Sequence, residues 1–323
     1  MKLQQLRYIV EVANHDLNVS STADSLYTSQ PGISKQIKLL EDELGVQIFA
    51  RTGKHLTSIT PIGETIIALS REVLAKTKSI KDIASEHHQP NTGTLNITTT
   101  YTQARYVLPQ VIQQFIQKYP KILLHLEQGM PDQLIEDVIS GKVDFAITTD
   151  LPVVNEECVV LPCYHWNYSV VVKKDHPLAK EPKLTIDMLA NYPLVSYDFS
   201  NDGSDLYHAF AKAQKTPNIA FSTADADLIK TYVKLGVGVG IVAKMAVNTT
   251  EDSDLVVLNA GHLFSYNTTY IVFMRNLFLR HYMYDFINQF SSHLTKELVN
   301  NALDCGSNTE IQAMFNGIKL PVK

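Results

Sequence analysis

From Thr60 onward, one apolar stripe constrains the chain. Ile62, Ile66, Leu69, Val73, Lys76, Ile80 and Ile83 fall at alternating spacings of four and three. That 3.5-residue period, kept over three heptads, predicts a long helix with a coiled-coil seam. Thr60 supplies a hydroxyl cap, and Pro61 takes the first helical position, where no intrahelical amide bond is lost. Lys76 is the polar member, a device that fixes register or partner number. The stripe could instead pack on its own domain. The strict period favours a partner helix, with Ile62, Ile66, Leu69, Val73, Ile80 and Ile83 as the dimerisation residues. Beyond it, His87-His88-Gln89-Pro90-Asn91-Thr92-Gly93 is a polar breaker cluster that marks a boundary. The chain therefore divides into residues 1–60, a linker helix 61–88 and a region 93–323.

Before the seam, Leu3, Leu6, Ile9, Val10 and Ala13 repeat at helical spacing, predicting a helix over 3–14. Ser21-Thr22-Ala23-Asp24 has the capping-box pattern, which starts a second helix near Ser20 or Ser21. After the polar break Tyr27-Thr28-Ser29, a third helix runs from Gln30 to Leu44, with Pro31 in its first turn and Gly45 as its C-terminal cap. Ile33, Ile37, Leu40 and Leu44 form its apolar stripe, and Gln30, Ser34, Lys35 and Lys38 lie opposite. Residues 46–60 fit a two-stranded ribbon turning at Gly53. Two short helices with a polar face on the second match a helix-turn-helix that enters the major groove. Gln30 and Ser34 suit base edges, Lys35, Lys38 and Arg51 suit phosphates, and Lys54 or His55 would sit on a wing. A generic three-helix bundle with ordinary surface polar residues remains the alternative.

Beyond the boundary, apolar strands alternate with helical segments. Strands are predicted at Leu95–Thr98, Ile122–Leu126, Val143–Ile147, Ser169–Val172, Val239–Val242 and near Leu263–Phe273. Helices are predicted at Ala104–Tyr119, Gln133–Ser140, Leu206–Ala213, Ala226–Leu235 and Leu279–Phe290. This rhythm predicts a mostly parallel sheet covered by helices, followed by a further helix and a loose end after His293.

Composition narrows the function. No run approaches 18 apolar residues, so no membrane span is expected. Arg7 and Glu11 interrupt the first apolar stretch where a signal peptide would need continuity, and a cytoplasmic location is expected. Three cysteines suit a reducing compartment. Residues 1–90 are electrically neutral and the remainder holds the net charge of −5, so electrostatics alone does not announce DNA binding. Cys158-x4-Cys163-x-His165 lacks a fourth metal ligand, and Cys163 and His165 lie too close in sequence to imply a nucleophile and base; no metal and no catalytic residue is expected. Gly236-Val237-Gly238-Val239-Gly240-Ile241 runs helix-then-strand with its third glycine one position early, so it fails as a dinucleotide loop. It reads instead as a helix end and a close crossing between lobes. Thr99-Thr100-Tyr101-Thr102-Gln103 joins a strand to a helix, and its hydroxyls suit an anion at a crevice or simple N-capping.

These residues carry a resemblance. Ala23…Leu26…Ser29-Gln30-Pro31-Gly32-Ile33-Ser34-Lys35-Gln36-Ile37…Leu40-Glu41…Leu44-Gly45…Ile48-Phe49…Arg51…Thr60-Pro61…Gly63 resembles the winged helix-turn-helix of LysR-type transcriptional regulators. The likeness continues over the chain to the branch that activates cysteine-biosynthesis genes, through Thr99–Tyr106, Leu161–Asn167, Thr223–Asp227, Tyr282–Ile287 and Ile318–Pro321. The resemblance implies an α/β chain with a winged helix-turn-helix, a long linker helix and a two-lobed effector domain like periplasmic binding proteins. Lobe I would span residues 93–163 and 267–292, lobe II 164–266, and a tail 293–323. It adds Thr28, Ser29 and Pro31 to the DNA-binding set, and assigns Thr100, Thr102, Gln103 and Thr149 to the effector. Tyr164 and Trp166 would wall the pocket, with core packing as the alternative for the tryptophan. It implies promoter DNA and RNA polymerase as partners, a homotetramer built as a dimer of dimers, no membrane partner and no resident cofactor. The effector would be N-acetylserine or O-acetylserine, with sulfate able to occupy the same site. Asp202 stands where the resemblance puts a threonine. An ionised carboxylate donates no hydrogen bond, so Asp202 either turns to water or pairs with an ammonium group. A regulator of another sulfur branch, such as sulfonate use, is the near alternative, and a DNA-binding enzyme fusion the distant one.

Overall fold

The structure, a computed structural model, describes residues 1–53, 55–149, 156–198, 204–248 and 250–323. They form two compact units, Met1–Pro90 with Asn276–Arg280, and Asn91–Arg275 with His281–Lys323.

The first unit holds α1 (Leu3–Asn14), α2 (Val19–Ser25), α3 (Gln30–Leu44), the antiparallel ribbon β1 (Phe49–Thr52) and β2 (His55–Ile59), and α4 (Pro61–His88). Ile9, Ile33, Ile37, Leu40, Phe49 and Ile67 make its core. Two local expectations change. The cap of α2 is Asn18, whose side chain accepts the Ser21 amide at 3.0 Å, so the helix starts earlier and Ser21 is the donor of the cap. Leu44 is 40% exposed, because α3 ends there and Gly45, at φ +69°, turns the chain away from the core. Thr60 caps α4 through the Gly63 amide at 3.0 Å. At the far end of α4, the buried Arg280 guanidinium donates to Glu86 Oε2 at 3.0 Å and to the Gln89 carbonyl at 3.0 Å, the latter a group that a helix terminus leaves open.

α4 carries two apolar faces. Gly63, Ile67 and Ser70 are buried against the first-unit core. Ile62, Leu69, Val73, Ile80 and Ile83, the heptad positions, are each 44–69% exposed, while Ile66 is half-buried on its own domain.

The second unit begins with β3 (Gly93–Thr99), α5 (Tyr101–Tyr106), α6 (Leu108–Lys118), β4 (Ile122–Gln128), α7 (Pro131–Ile139), β5 (Phe145–Thr148) and β6 (Cys158–Trp166). It continues through β7 (Tyr168–Lys173), α8 (Ile186–Leu189), β8 (Leu194–Ser196), α9 (Asp205–Lys212), β9 (Ile219–Ser222), α10 (Ala226–Lys234), β10 (Val239–Ala243) and β11 (Leu255–Asn259). β12 (Asn267–Met274), α11 (His281–Phe290), α12 (Lys296–Asp304) and α13 (Asn308–Phe315) complete it. Two five-stranded sheets result, ordered β4-β3-β5-β12-β6 and β11-β7-β10-β8-β9. The expected mostly parallel sheet is corrected: each sheet has two parallel and two antiparallel pairings. The antiparallel pairs involve strands next to the two crossings between sheets. One helix expected over Ala104–Tyr119 is two, α5 and α6, broken at Val107 ahead of Pro109, which has no amide to continue the ladder.

Asn167 lies at the first crossing, between β6 and β7. Its side-chain amide donates to the carbonyls of Gly261 (3.0 Å) and Phe264 (3.2 Å), which belong to the second crossing between β11 and β12. Its Oδ1 accepts the Tyr168 amide at 2.7 Å, and its carbonyl accepts the Lys244 amide at 2.8 Å. All of β6 pairs with β12, so Tyr164, His165 and Trp166 belong to lobe I, and the lobe boundary falls at Asn167 rather than after residue 163. The tail is not loose. α12 and α13 pack on β6, and the Pro321 carbonyl and Lys323 amide bracket His165 at 2.8 and 2.9 Å, covering the edge strand of the first sheet.

Gly63 tests the ribbon–helix junction. An alanine in a helix usually gains about 1 kcal/mol over glycine. Here a Cβ would lie 2.1 Å from the Ile48 carbonyl oxygen, an overlap only backbone movement can relieve. Gly63→Ala is therefore expected to cost about 1–3 kcal/mol net, read as a lower thermal midpoint of the N-terminal unit. A raised midpoint would contradict the packing.

Candidate functional site

The candidate reading helix is α3. Thr28, Ser29, Gln30 and Pro31 are exposed around its start, followed by half-buried Ser34 and exposed Lys35 and Lys38. Ser29 also has a structural duty, since its hydroxyl accepts the Gly32 amide at 3.3 Å as the N-cap. Arg51 is not a free cation. Its guanidinium pairs with Glu41 Oε2 at 2.7 Å, and Glu41 Oε1 accepts the amides of Ile48 and Phe49 at 2.9 and 3.1 Å. The buried Glu41 carboxylate thereby ties the ribbon to α3. Sequence reasoning gave Glu41 no role; a carboxylate eight residues before the strand start at Phe49 was its only signal. Lys54 lies outside the described residues, and His55 is exposed.

The second site is a narrow crevice lined by Thr100, Thr102, Gln103, Thr149, Trp166, Tyr197, Ala243 and Met245. β3, β5, β8 and β10 all end at it, and residues just past a strand's carboxyl end are where an open α/β sheet holds ligands. Thr100, Thr102, Gln103, Thr149 and Trp166, assigned from sequence, converge there. Tyr164 does not wall it. Fully buried on β6, its hydroxyl donates to Gln103 Oε1 from beneath. Gln103 Nε2 donates to Thr269 Oγ1 at 3.2 Å, so the Gln103 amide is fixed as floor. Tyr197, Ala243 and Met245 were missed. Tyr197 and Ala243 follow or end strands of lobe II in the way Thr100 and Thr149 do in lobe I, and the strand-end rule applied to both lobes would have found them. Asp202 lies outside the described residues.

The crevice lining is neutral and rich in donors. Thr100 is the N-cap of α5, yet its hydroxyl makes no capping bond, so simple capping does not account for it. Trp166 Nε1 is buried with no hydrogen-bond partner among the described residues, and it lines the same space. A buried N–H without an acceptor costs free energy that a ligand oxygen would recover. The Tyr197 hydroxyl accepts the Ala243 amide at 3.1 Å and lies 3.4 Å from Thr102 Oγ1. Burial pushes the Tyr197 phenol up to about 12, so it stays protonated at neutral pH. This set suits a small, acceptor-rich ligand such as a carboxylate or oxyanion.

Other sequence features resolve as structure. Burial raises the Cys163 thiol, and raises Cys158 to about 11, which leaves both poor nucleophiles. No group of three or more metal-binding side chains occurs among the described residues. The glycines at 236–240 form a close crossing within lobe II, not between lobes. Gly236 ends α10 at φ +82°, and a Cβ on Gly240 would sit 2.5 Å from Val171 Cγ2 on the neighbouring strand. No helix among the described residues is long and apolar enough to cross a membrane.

A winged helix-turn-helix joined to a two-lobed α/β domain with a crevice at its strand ends is the architecture of a bacterial transcription regulator carrying its own effector-binding domain. Residues 3–64 match the bacterial regulatory helix-turn-helix proteins of the lysR family, and residues 88–295 match the LysR substrate binding domain. The chain belongs to the LysR family of DNA-binding transcriptional regulators. It is 53% identical to the HTH-type transcriptional regulator CysB of Haemophilus influenzae, over 100% of both chains. It is 42% identical to the HTH-type transcriptional regulator SsuR of Burkholderia cenocepacia, over 92% of this chain and 96% of that one. Among solved structures, the cofactor-binding domain of the Cbl transcriptional regulator is 33% identical, with a TM-score of 0.63 over 66% of this chain and 95% of that one.

Tyr164→Phe isolates the floor of the crevice. It leaves Gln103 Oε1 buried without its donor, which costs about 1–3 kcal/mol. A lower thermal midpoint of the effector domain is expected, with the N-terminal unit unaffected. An unchanged midpoint would show that the phenol contributes nothing there.

Proposed function

We propose that this regulator controls sulfate-assimilation and cysteine-biosynthesis genes, that its crevice binds an acetylserine, and that sulfate competes for the same donors. The observation that carries the ligand reading is the buried, unpaired Trp166 Nε1 set among the Thr100, Thr102 and Thr149 side chains. A compact molecule with a carboxylate and an acetyl carbonyl supplies acceptors for such donors. The likeness to CysB over the whole chain supports the choice of regulon. Gln30 and Ser34 read base edges, and Thr28, Ser29, Lys35 and Lys38 hold the DNA backbone. The protein works in the cytoplasm as a dimer of dimers and acts on RNA polymerase at the promoter. An effector shifts this assembly only by binding one subunit arrangement more tightly than another.

Nuclease footprinting upstream of sulfate-assimilation genes tests the reading, with N-acetylserine, O-acetylserine and sulfate added in turn. A protected region that shifts with an acetylserine is expected. A footprint insensitive to all three compounds would overturn the effector assignment, and no footprint at these promoters would overturn the regulon.

The exposed heptad face of α4 supports the dimer. Val73 is a cleaner probe than Ile66, which also packs on its own domain. A charge placed in a helix–helix seam is costly. Val73→Asp is expected to yield smaller species in sedimentation and to lose operator binding. Wild-type assembly in that variant would remove the seam from the interface.

A further inference from the structure

Helix α5 faces two ways. Its first turn supplies Thr102 and Gln103 to the crevice, next to the cap Thr100. Its last residues, Arg105 and Tyr106, reach across to α10 in lobe II. The Tyr106 hydroxyl donates to Asp227 Oδ1 at 2.5 Å, and Arg105 pairs with Asp227 Oδ2. Lys230 Nζ lies 3.0 Å from Asp227 Oδ1 and 2.9 Å from the Tyr106 hydroxyl. Beneath, Lys230 also donates to Asp252 Oδ2 at 3.0 Å and to the Ala246 carbonyl at 2.9 Å, and Asp252 Oδ2 accepts the Asn248 amide at 2.9 Å.

The charges separate into two neutral pairs. Lys230 and Asp252 are both buried within lobe II, and each compensates the other whether or not lobe I is present. Asp227 and Arg105 form the second pair, and only this one spans the lobes. Burial alone would raise the Asp227 carboxyl, but hydrogen bonds from Tyr106 and Lys230, with the Lys230 and Arg105 charges, hold it below the usual range. It is therefore an ionised acceptor at neutral pH. Arg105 is 59% exposed, so solvent weakens its share of the attraction. The Tyr106 hydrogen bond to a carboxylate is the stronger link. Such an arrangement can open without stranding a buried charge, since Lys230 keeps its lobe II partners.

We propose that Tyr106, Arg105 and Asp227 form a latch, seated on Lys230, that holds the two lobes closed over the crevice before any ligand arrives. These are positioning residues. The latch fixes α5 against lobe II and so places Thr100 and Thr102 opposite Tyr197 and Ala243. A ligand that touches both lobes favours the same closed state, and its apparent affinity scales with the fraction of molecules already closed. The affinity consequence rests on the crevice being the effector site; the latch itself does not.

The test uses the full chain in two arms. Amide hydrogen exchange without ligand compares wild type with Tyr106→Phe and Arg105→Ala. Faster exchange over 99–106 and 239–246 is expected in both variants, larger for Tyr106→Phe, with α1–α3 unchanged. Exchange identical to wild type in both variants would overturn the latch. Arg105 is largely exposed, so its variant keeps the test valid if Tyr106→Phe folds poorly. In the second arm, calorimetry with N-acetylserine is expected to show about 10-fold weaker binding by Tyr106→Phe, matching loss of a hydrogen bond to a charged group. Reversing the outer pair as Arg105→Asp with Asp227→Arg is expected to bind weakly, because Lys230 then faces a like charge, whereas Asp227→Glu, which keeps the carboxylate, is expected to retain most of the wild-type affinity. Equal affinity in wild type and Tyr106→Phe would overturn the coupling to the crevice. If wild type itself binds no acetylserine, the effector reading fails, and the exchange arm still decides the latch.

Discussion

The effector domain depends on one constraint: two chain segments must cross between its sheets, and the crossings must not leave buried polar backbone unpaired. Asn167 meets this need. Its side chain and carbonyl hold four backbone groups, two of them on the other crossing. A buried amide with every group engaged fixes geometry well, because any slip leaves a donor or acceptor unsatisfied. The repeated sheet pattern follows. Each sheet has parallel strands from its βα units and antiparallel strands at the crossings. Strand ends from both sheets then face each other, and the crevice is the space between them.

Around the crevice, support is layered. Gln103 faces the space, Tyr164 holds Gln103, and Phe290 and Lys323 lie over the Tyr164 ring at 5.8 and 4.3 Å. The tail that covers the edge of β6 therefore also packs on the residue that fixes the crevice floor. Burial lowers the Lys323 ammonium pKa, opposed by the nearby Cys163. On the other side, the Arg105–Tyr106–Asp227–Lys230 cluster sets α5 against lobe II. The same short helix is thus held from below by hydrogen bonds and at its end by a hydrogen bond to a carboxylate with an outer ion pair.

In the first unit, Glu41 does for α3 what Asn167 does for the crossings. One carboxylate satisfies the amides of Ile48 and Phe49 at the ribbon's start and a guanidinium, so the ribbon and α3 hold a common orientation. α4 divides its surface between Ile67, which completes this core, and the heptad residues, which the single chain leaves exposed. An amphipathic helix packed on only one of two apolar faces has the form expected of a helix that pairs.

Much was legible in the sequence. The 3.5-residue period marked α4, Pro31 and Gly45 bounded α3, and the alternation of strands with helices announced an α/β domain, since these patterns are local and their periods follow from backbone geometry. Five of the seven effector-site residues assigned there converge on one crevice, because strand ends and helix starts are readable from short segments. The tertiary structure decided what depends on distant partners. Strand direction in the two sheets was not legible, because pairing is chosen between segments far apart in the chain. Tyr164 and Trp166 are two residues apart on one strand, yet one lies under the floor holding Gln103 and the other lines the crevice with an unpaired N–H. Arg51 looks like a phosphate ligand until Glu41 is placed beside it, and the tail looks loose until β6 offers it an edge. A side chain's residue type states which bonds it can make; only the fold brings the partner that determines which bond it does make.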